Sequence, residues 1–238
     1  MSWDMFPIGS RNPYTYIDMI LCDGRAVHFD RISEGSNYAD ALYVHKETGT
    51  AFSRARFGWT GNGWDLGRAD GAHLYFPESY NAKRGVDGAL VGFTGPKGDV
   101  VTLQRDRLRN LRELATAGGN SLKFDYDAHN RVSQAKDFYG RSATYQYDMA
   151  GRMVLARTSN SERRYRYTGT QLDAVHENDA PLFQFRYTKG RVGEIVLPGG
   201  RSYKLRYDYD RGDDHTPVKS FLTGPDGKTE SFAIPPKR

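Results

Sequence analysis

The sequence predicts an all-β chain made of tandem β-hairpin repeats, each about 20 residues long. Three observations carry that reading. Tyr126, Tyr147, Tyr167, Tyr187 and Tyr207 recur at spacings of 21, 20, 20 and 20 residues. Two positions before each stands another large apolar residue: Phe124, Tyr145, Tyr165, Phe185 or Leu205. Residues two apart share one face of a strand, so every repeat carries an apolar pair on a single side. The third observation is composition, with 26 Gly and 16 Tyr in 238 residues. A flat ring with a polar tip suits a half-wetted pleated face, and glycine supplies the turns between strands.

The turns have a signature of their own. A Gly precedes an apolar residue by five positions at Gly24/Phe29, Gly71/Phe76, Gly88/Phe93, Gly98/Leu103, Gly119/Phe124, Gly140/Tyr145, Gly200/Leu205 and Gly227/Phe232. It often follows Asp, Gly or Tyr, and a pair such as Asp23-Gly24 or Asp70-Gly71 provides the positive φ of a tight hairpin turn. One unit is therefore a turn, a strand ending near the Tyr, a second turn and a second strand.

In chain order, residues 1–19 read as an N-terminal extension and 20–117 as degenerate repeats. Leu108, Leu111 and Leu114 recur every three residues, which would suit a helix over 103–116. Asn110-Leu111-Arg112-Glu113-Leu114 nevertheless aligns with the strand that follows a turn, so strand is the expectation. Residues 118–211 hold the regular repeats. Their second turns fall at 127–131, 148–152, 168–171 and 188–191, each followed by Val132, Met153, Leu172 or Val192. Two units lack the turn glycine, with Asn160 before Tyr165 and Ala180 before Phe185. Asn tolerates positive φ and Ala does not, which predicts a changed turn near Asp179-Ala180-Pro181. Residues 212–238 read as a terminal loop, begun within 208–217, and a capping hairpin around Pro225-Asp226-Gly227.

Phe-Asp-Tyr-Asp-Ala-His-Asn-Arg-Val (124–132) and Tyr-Gln-Tyr-Asp-Met-Ala-Gly-Arg-Met (145–153) resemble the YD-repeat signature of Rhs proteins. That family includes bacterial polymorphic toxins, insecticidal toxin-complex C components and teneurins. The resemblance is strongest over 119–211. The stretch 20–103, with Gly58-Trp-Thr-Gly-Asn-Gly-Trp64, is similar to the degenerate repeats that begin many Rhs shells. It implies one curved, spiralling antiparallel sheet, a partial shell, acting as a non-catalytic scaffold of a toxin system. In the family such a sheet closes around a C-terminal toxin domain. Here the Asp-Pro-x-Gly-Leu self-cleavage pair is absent, about ten hairpins are too few to enclose a domain, and the sequence ends at Ile234-Pro-Pro-Lys-Arg238. Encapsulation and self-cleavage are therefore not expected of this chain alone.

Composition narrows the function classes. Hydrophobic content is 38%, mean hydropathy is -0.72, and no apolar run is long enough to span a bilayer. The N-terminus lacks the basic and apolar regions of a signal peptide, and Cys22 stands alone, so no internal disulfide forms. Cytoplasmic synthesis is the expectation, and the resemblance leaves export with a secretion-system effector open. The six histidines are scattered, and no His-Glu-x-x-His, Gly-x-Ser-x-Gly or Cys-x-x-Cys occurs. Gly227-Lys228-Thr229 lacks the first P-loop glycine, since residue 222 is Leu. Asp213-Asp214-His215 and Arg211-Gly212-Asp213 read as a solvated loop and a chance tripeptide. No catalytic residue, metal or cofactor is predicted.

One surface feature stands out. Opposite the Tyr pairs lie Lys123, Arg164, Arg166, Arg186, Lys204 and Arg206, with Gln146 and Gln184. They form either a docking face for an acidic partner or a solvated face neutralised by Asp173, Glu177 and Glu194, and the acids favour the second. Rings and cations face oppositely, which argues against single-stranded nucleic acid. The expected partner is another protein, either a toxin-type effector or a further Rhs chain, or a second copy joined through free sheet edges. A stand-alone immunity or adaptor module is the alternative, and a nuclease using the basic stripe the weaker one.

Overall fold

The computed structural model describes residues 4–209 and 217–233. The Arg211-Gly212-Asp213 tripeptide, the Asp213-Asp214-His215 group and most of the expected 208–217 loop lie outside the described residues. The described chain is all-β apart from short 3-10 turns at Gly85–Gly88 and Pro198–Gly200.

It divides into two compact units, residues 1–140 and 141–238, so the division falls inside the run of regular repeats. The first unit begins with β1 (Phe6–Gly9), β2 (Tyr16–Ile20), β3 (Ala26–Arg31) and β4 (Leu42–Val44). It continues with β5 (Arg56–Trp59), β6 (Gly63–Gly67), β7 (His73–Pro77) and β8 (Gly92–Thr94). β9 (Val100–Arg105), β10 (Leu111–Thr116), β11 (Ser121–Tyr126) and β12 (Val132–Asp137) complete it. The second unit holds β13 (Ser142–Tyr147), β14 (Met153–Thr158), β15 (Glu162–Thr168), β16 (Gln171–Glu177) and β17 (Ala180–Thr188). β18 (Arg191–Val196), β19 (Ser202–Tyr209), β20 (Pro217–Thr223) and β21 (Thr229–Ala233) follow. Within each unit every strand pairs antiparallel with the next. Residues 103–116 are strand, turn and strand, and two strands arise inside the segment set apart as an N-terminal extension.

A single turn design recurs among these hairpins. At nine hairpins the backbone N–H of residue i donates to the carbonyl of i+4, while that of i+3 donates back to i, as with Leu21, Gly24 and Arg25. This is the three-residue loop whose last residue must be left-handed. Gly24, Gly71, Gly98, Gly119, Gly200 and Gly227 fill that place, and Gly140 also has positive φ. Gly88 departs from the pattern: it is buried in a 3-10 turn against Ser79. At 178–179 the turn shrinks to two residues, Asn178 and Asp179, with φ of 49° and 65°. Ala180 is thereby released into β17. The turn before Tyr165 is held by Thr158, whose Oγ1 accepts the N–H groups of Asn160 and Ser161 at 3.3 and 3.1 Å.

The first unit closes over a core. Ile17, Met19, Phe29, Tyr43, Phe57, Leu66, Phe76, Leu90, Leu103 and Leu111 are buried together, with Phe124 packed beside them. Alternation along β2, β3 and β5–β7 puts these side chains on one face. The sheet curls enough to return β1 to the 85–90 segment. Met5 accepts the Leu90 N–H at 3.1 Å, and Asp4 pairs with the buried Arg105 at 2.7 Å. His45, also buried, is satisfied at both ring nitrogens by His28 O and Thr50 Oγ1.

Candidate functional site

The regular repeats present two unlike faces. Tyr126, Tyr167, Tyr187 and Tyr207 each donate a hydroxyl hydrogen bond to a carbonyl one repeat earlier: Leu111 (2.7 Å), Met153 (3.0 Å), Leu172 (2.9 Å) and Val192 (3.1 Å). These acceptors are the first or second residues of the strands that follow the second turns. The ladder register slips by one residue at Tyr126, Tyr147, Tyr167 and Tyr187, which sets each ring opposite Val132, Met153, Leu172 or Val192. The periodic Tyr is therefore a strut between successive hairpins.

The Asp after the Tyr has a matching task. Oδ1 of Asp127 accepts the N–H groups of His129 and Arg131 at 2.8 and 3.0 Å, while Arg131 Nε reaches Oδ2 at 2.8 Å. Asp148 repeats this with Ala150 and Arg152. The Arg131 side chain, then its backbone N–H, hold the Asp127 carboxyl at about 2, and the Arg152 backbone N–H and then its side chain also lower Asp148. Arg152 additionally lies 4.5 Å from the centre of the Tyr167 ring.

In the second unit the aromatic face is wider than one pair per repeat. Register places Phe183 opposite Val175, Ile195 opposite Phe185 and Tyr203, and Leu222 opposite Leu205. Sequence reading missed Phe183 and Tyr203; each lies two residues upstream of a repeat pair on the same face, and that period-two extension was the available signal. Tyr145, Tyr147, Tyr165, Tyr167, Phe185, Tyr187, Leu205 and Tyr207 all remain half-buried, and of the described large apolar residues of this unit only Leu155 and Val175 are fully buried. In the first unit the same face is sealed, and here it is open.

The opposite face carries the basic residues, on the side the alternation predicts. Arg166 meets Asp173 at 2.6 Å, Arg186 meets Glu194 at 2.8 Å, Arg164 meets Glu162 at 2.5 Å, and Lys123 lies 3.7 Å from Glu113. Arg206 pairs with Asp208, and Lys204 sits opposite Glu194 in the ladder. Arg163, outside the expected stripe, is the partner of Glu177. The Ser202 hydroxyl, then Arg186 and Lys204, lower Glu194. These cations are 57–65% exposed where paired, so the pairs neutralise the stripe without contributing much stability. Leu155 and Ala174, both buried, lie opposite Arg164 and Arg166 in the ladder, within reach of their aliphatic stems. Among the described residues, no three His, Cys, Asp or Glu side chains converge as metal ligands, and no helix is long and apolar enough to cross a membrane.

Hairpins with this turn, strut and bulge recur in the part of the chain that matches a known family. Residues 87–214, more than half the chain, match the family described as Teneurin YD-shell. The chain belongs to the teneurin YD-shell family. The match takes in every regular YD repeat and begins within the degenerate stretch. Among solved structures, this YD-shell chain is similar to TcdB2-TccC3 without its hypervariable C-terminal region, at 12% identity and a TM-score of 0.47 over 93% of this chain and 14% of that one. It is also similar to the Photorhabdus luminescens Tc holotoxin pore with a mutated TccC3, at 12% identity and TM-score 0.45 over 92% and 14% of the respective chains. It thus spans 14% of the length of these matched chains. No curated protein matches it significantly.

Proposed function

We propose that this YD-shell chain is a non-catalytic scaffold that holds a partner polypeptide of a toxin system against the aromatic face of its second unit. The open state of that face carries the reading. Its Tyr hydroxyls at 167, 187 and 207 are already satisfied by backbone carbonyls, so the rings offer apolar surface with no unmet donor. A contiguous apolar face of this extent marks an interaction surface. Membership of the YD-shell family supports the scaffold role.

A second reading keeps the basic face as the docking surface for an acidic partner, through Lys123, Arg164, Arg166, Arg186, Lys204 and Arg206. Their exposure favours it, and their pairing with acids on neighbouring strands weighs against it. Intact-mass analysis of what co-purifies with the chain from its native host tests both. A stoichiometric polypeptide lost on Phe185→Asp but kept on the double change Arg166→Glu, Arg186→Glu supports the aromatic face. The reverse pattern supports the basic face. Recovery of the chain alone, as monomer or homodimer, overturns the scaffold reading.

A further inference from the structure

The first unit contains a cleft of about 1010 Å³ that neither the repeats nor the scaffold reading uses. Its size is at the upper end for small-molecule sites, roughly 300–1,000 Å³. Tyr14 enters from the loop after β1, Tyr38 from the loop after β3, and Tyr80 with Asn81 from the loop after β7. Trp59 and Trp64 are cross-strand partners at the tip of the β5–β6 hairpin, on the face that buries Phe57 and Leu66. They carry the aromatic core outward to the cleft wall.

The rings form a continuous series. Tyr14 meets Tyr38 at 5.8 Å, Tyr38 meets Trp59 at 5.1 Å and Trp59 meets Trp64 at 5.2 Å, all edge to face. The wall loops are fixed from beneath by Arg31, whose side chain is 7% exposed. Its guanidinium donates to the carbonyls of Tyr14 (3.1 Å), Ser33 (3.1 Å), Glu34 (2.8 Å) and Asn37 (2.8 Å) and to Asp40 (2.8 Å). Such a buried, fully engaged cation makes the cleft a built feature.

The polar inventory of the cleft differs from that of the repeats. There, tyrosine hydroxyls are satisfied by backbone carbonyls. Here the Tyr14, Tyr38 and Tyr80 hydroxyls, both indole N–H groups and the Asn81 amide have no hydrogen-bond partner among the described residues. Of the cations lining the cleft, Arg11 lies over the Tyr80 ring at 4.6 Å and Arg84 pairs with Asp87 at 2.9 Å, while Lys83 and Glu78 bring one charge of each sign to the lining. Ring faces interleaved with free donors and acceptors suit a molecule with apolar C–H faces and many hydroxyls. A wholly apolar ligand would strand the donors. A polyproline segment would stack on the rings but has no backbone donor for the Asn81 oxygen. We propose that this cleft binds a neutral oligosaccharide of several pyranose rings.

The test uses the full chain, with maltohexaose, cellohexaose, xylohexaose and chitohexaose as probes and decaproline as the competing ligand class. Two of the three tryptophans, Trp59 and Trp64, line the cleft, so emission reports occupancy. A saturable change with at least one oligosaccharide is expected. Trp59→Ala should weaken it tenfold or more. Because Trp59 packs on Trp64, which borders the core, Asn81→Ala and Tyr80→Ala on the exposed loop serve as variants that leave the fold intact. Each should weaken binding threefold or more with an unchanged thermal midpoint. No saturable change with any of the four sugars, binding of decaproline alone, or sugar binding indifferent to both loop variants would overturn the proposal.

Discussion

Two kinds of side chain do different mechanical work in the regular repeats. The Tyr hydroxyls at 126, 167, 187 and 207 span to the preceding hairpin, and the carboxylates of Asp127 and Asp148 close the turns that follow them. Replacing Tyr126 with Phe removes the 2.7 Å bond to the Leu111 carbonyl and should cost about 1 kcal/mol in urea unfolding. Burial pushes the Tyr126 hydroxyl up to about 12. Its folded value lies above its unfolded value near 10, so its contribution is whole below about pH 10 and is lost as pH rises through about 12. Burial also pushes Tyr43 and Tyr207 up, so phenolate absorbance should show a late-titrating group of tyrosines from which Tyr126→Phe removes one; titration of every tyrosine near 10 would refute this. Asp127 has the opposite sign. Arg131 holds it at about 2, so its contribution is present above the ordinary carboxylate range near 4 and is lost as pH falls through about 2. Carboxyl chemical shifts recorded by NMR should place its midpoint near 2.

At the scale of elements, hairpins are decided at left-handed positions and at close backbone approaches. Lys189 holds φ of 50° in the two-residue turn Lys189-Gly190, a position where Asn is better tolerated. Lys189→Asn should stabilise the chain by a few tenths to about 1 kcal/mol, read as a raised denaturation midpoint. Gly63 works through space: a Cβ there would overlap the backbone carbonyl of Phe76 on the paired strand. Gly63→Ala should cost about 1–3 kcal/mol, and an unchanged midpoint would show that the strands can separate without loss. Arg109 shows how a poor turn residue is kept. Its φ is 71°, yet its guanidinium donates to the carbonyls of Val86 and Asp87 and so ties the turn to the 3-10 segment.

The whole molecule is uneven in how it buries the same kind of face. In the first unit the Tyr-side face is sealed into a core containing Met19, Phe29, Phe57 and Leu66, none of them exposed. In the second unit that face is half-exposed, and every residue of β21 is exposed. Local opening follows buried apolar contact, so amide hydrogen exchange should be slowest in β2, β3 and β5–β7 and fastest in β20–β21. Equal protection in the two units would mean that a layer covers the second. A partner seated on the aromatic face should slow exchange in β15–β19 without changing β2–β7.

Spacing alone determined the all-β class, the hairpin unit and the face on which each Tyr pair and each cation of the stripe lies, because a strand has a period of two and the repeat preserves it. The seven turn glycines at 24, 71, 98, 119, 140, 200 and 227 were legible for the same reason: only glycine is cheap at positive φ. Tertiary structure alone decided the rest. Gly88 turned inward because the segment 85–90 packs on returning β1, a contact far apart in sequence. The struts from the Tyr126, Tyr167 and Tyr187 hydroxyls to earlier carbonyls accompany a one-residue bulge at each ring, which no side-chain pattern encodes. The cleft joins Tyr14, Tyr38, Trp59 and Tyr80 from four separate segments, and closure of the first unit brings them together, since burial depends on what lies across the sheet and spacing reports only what lies along it.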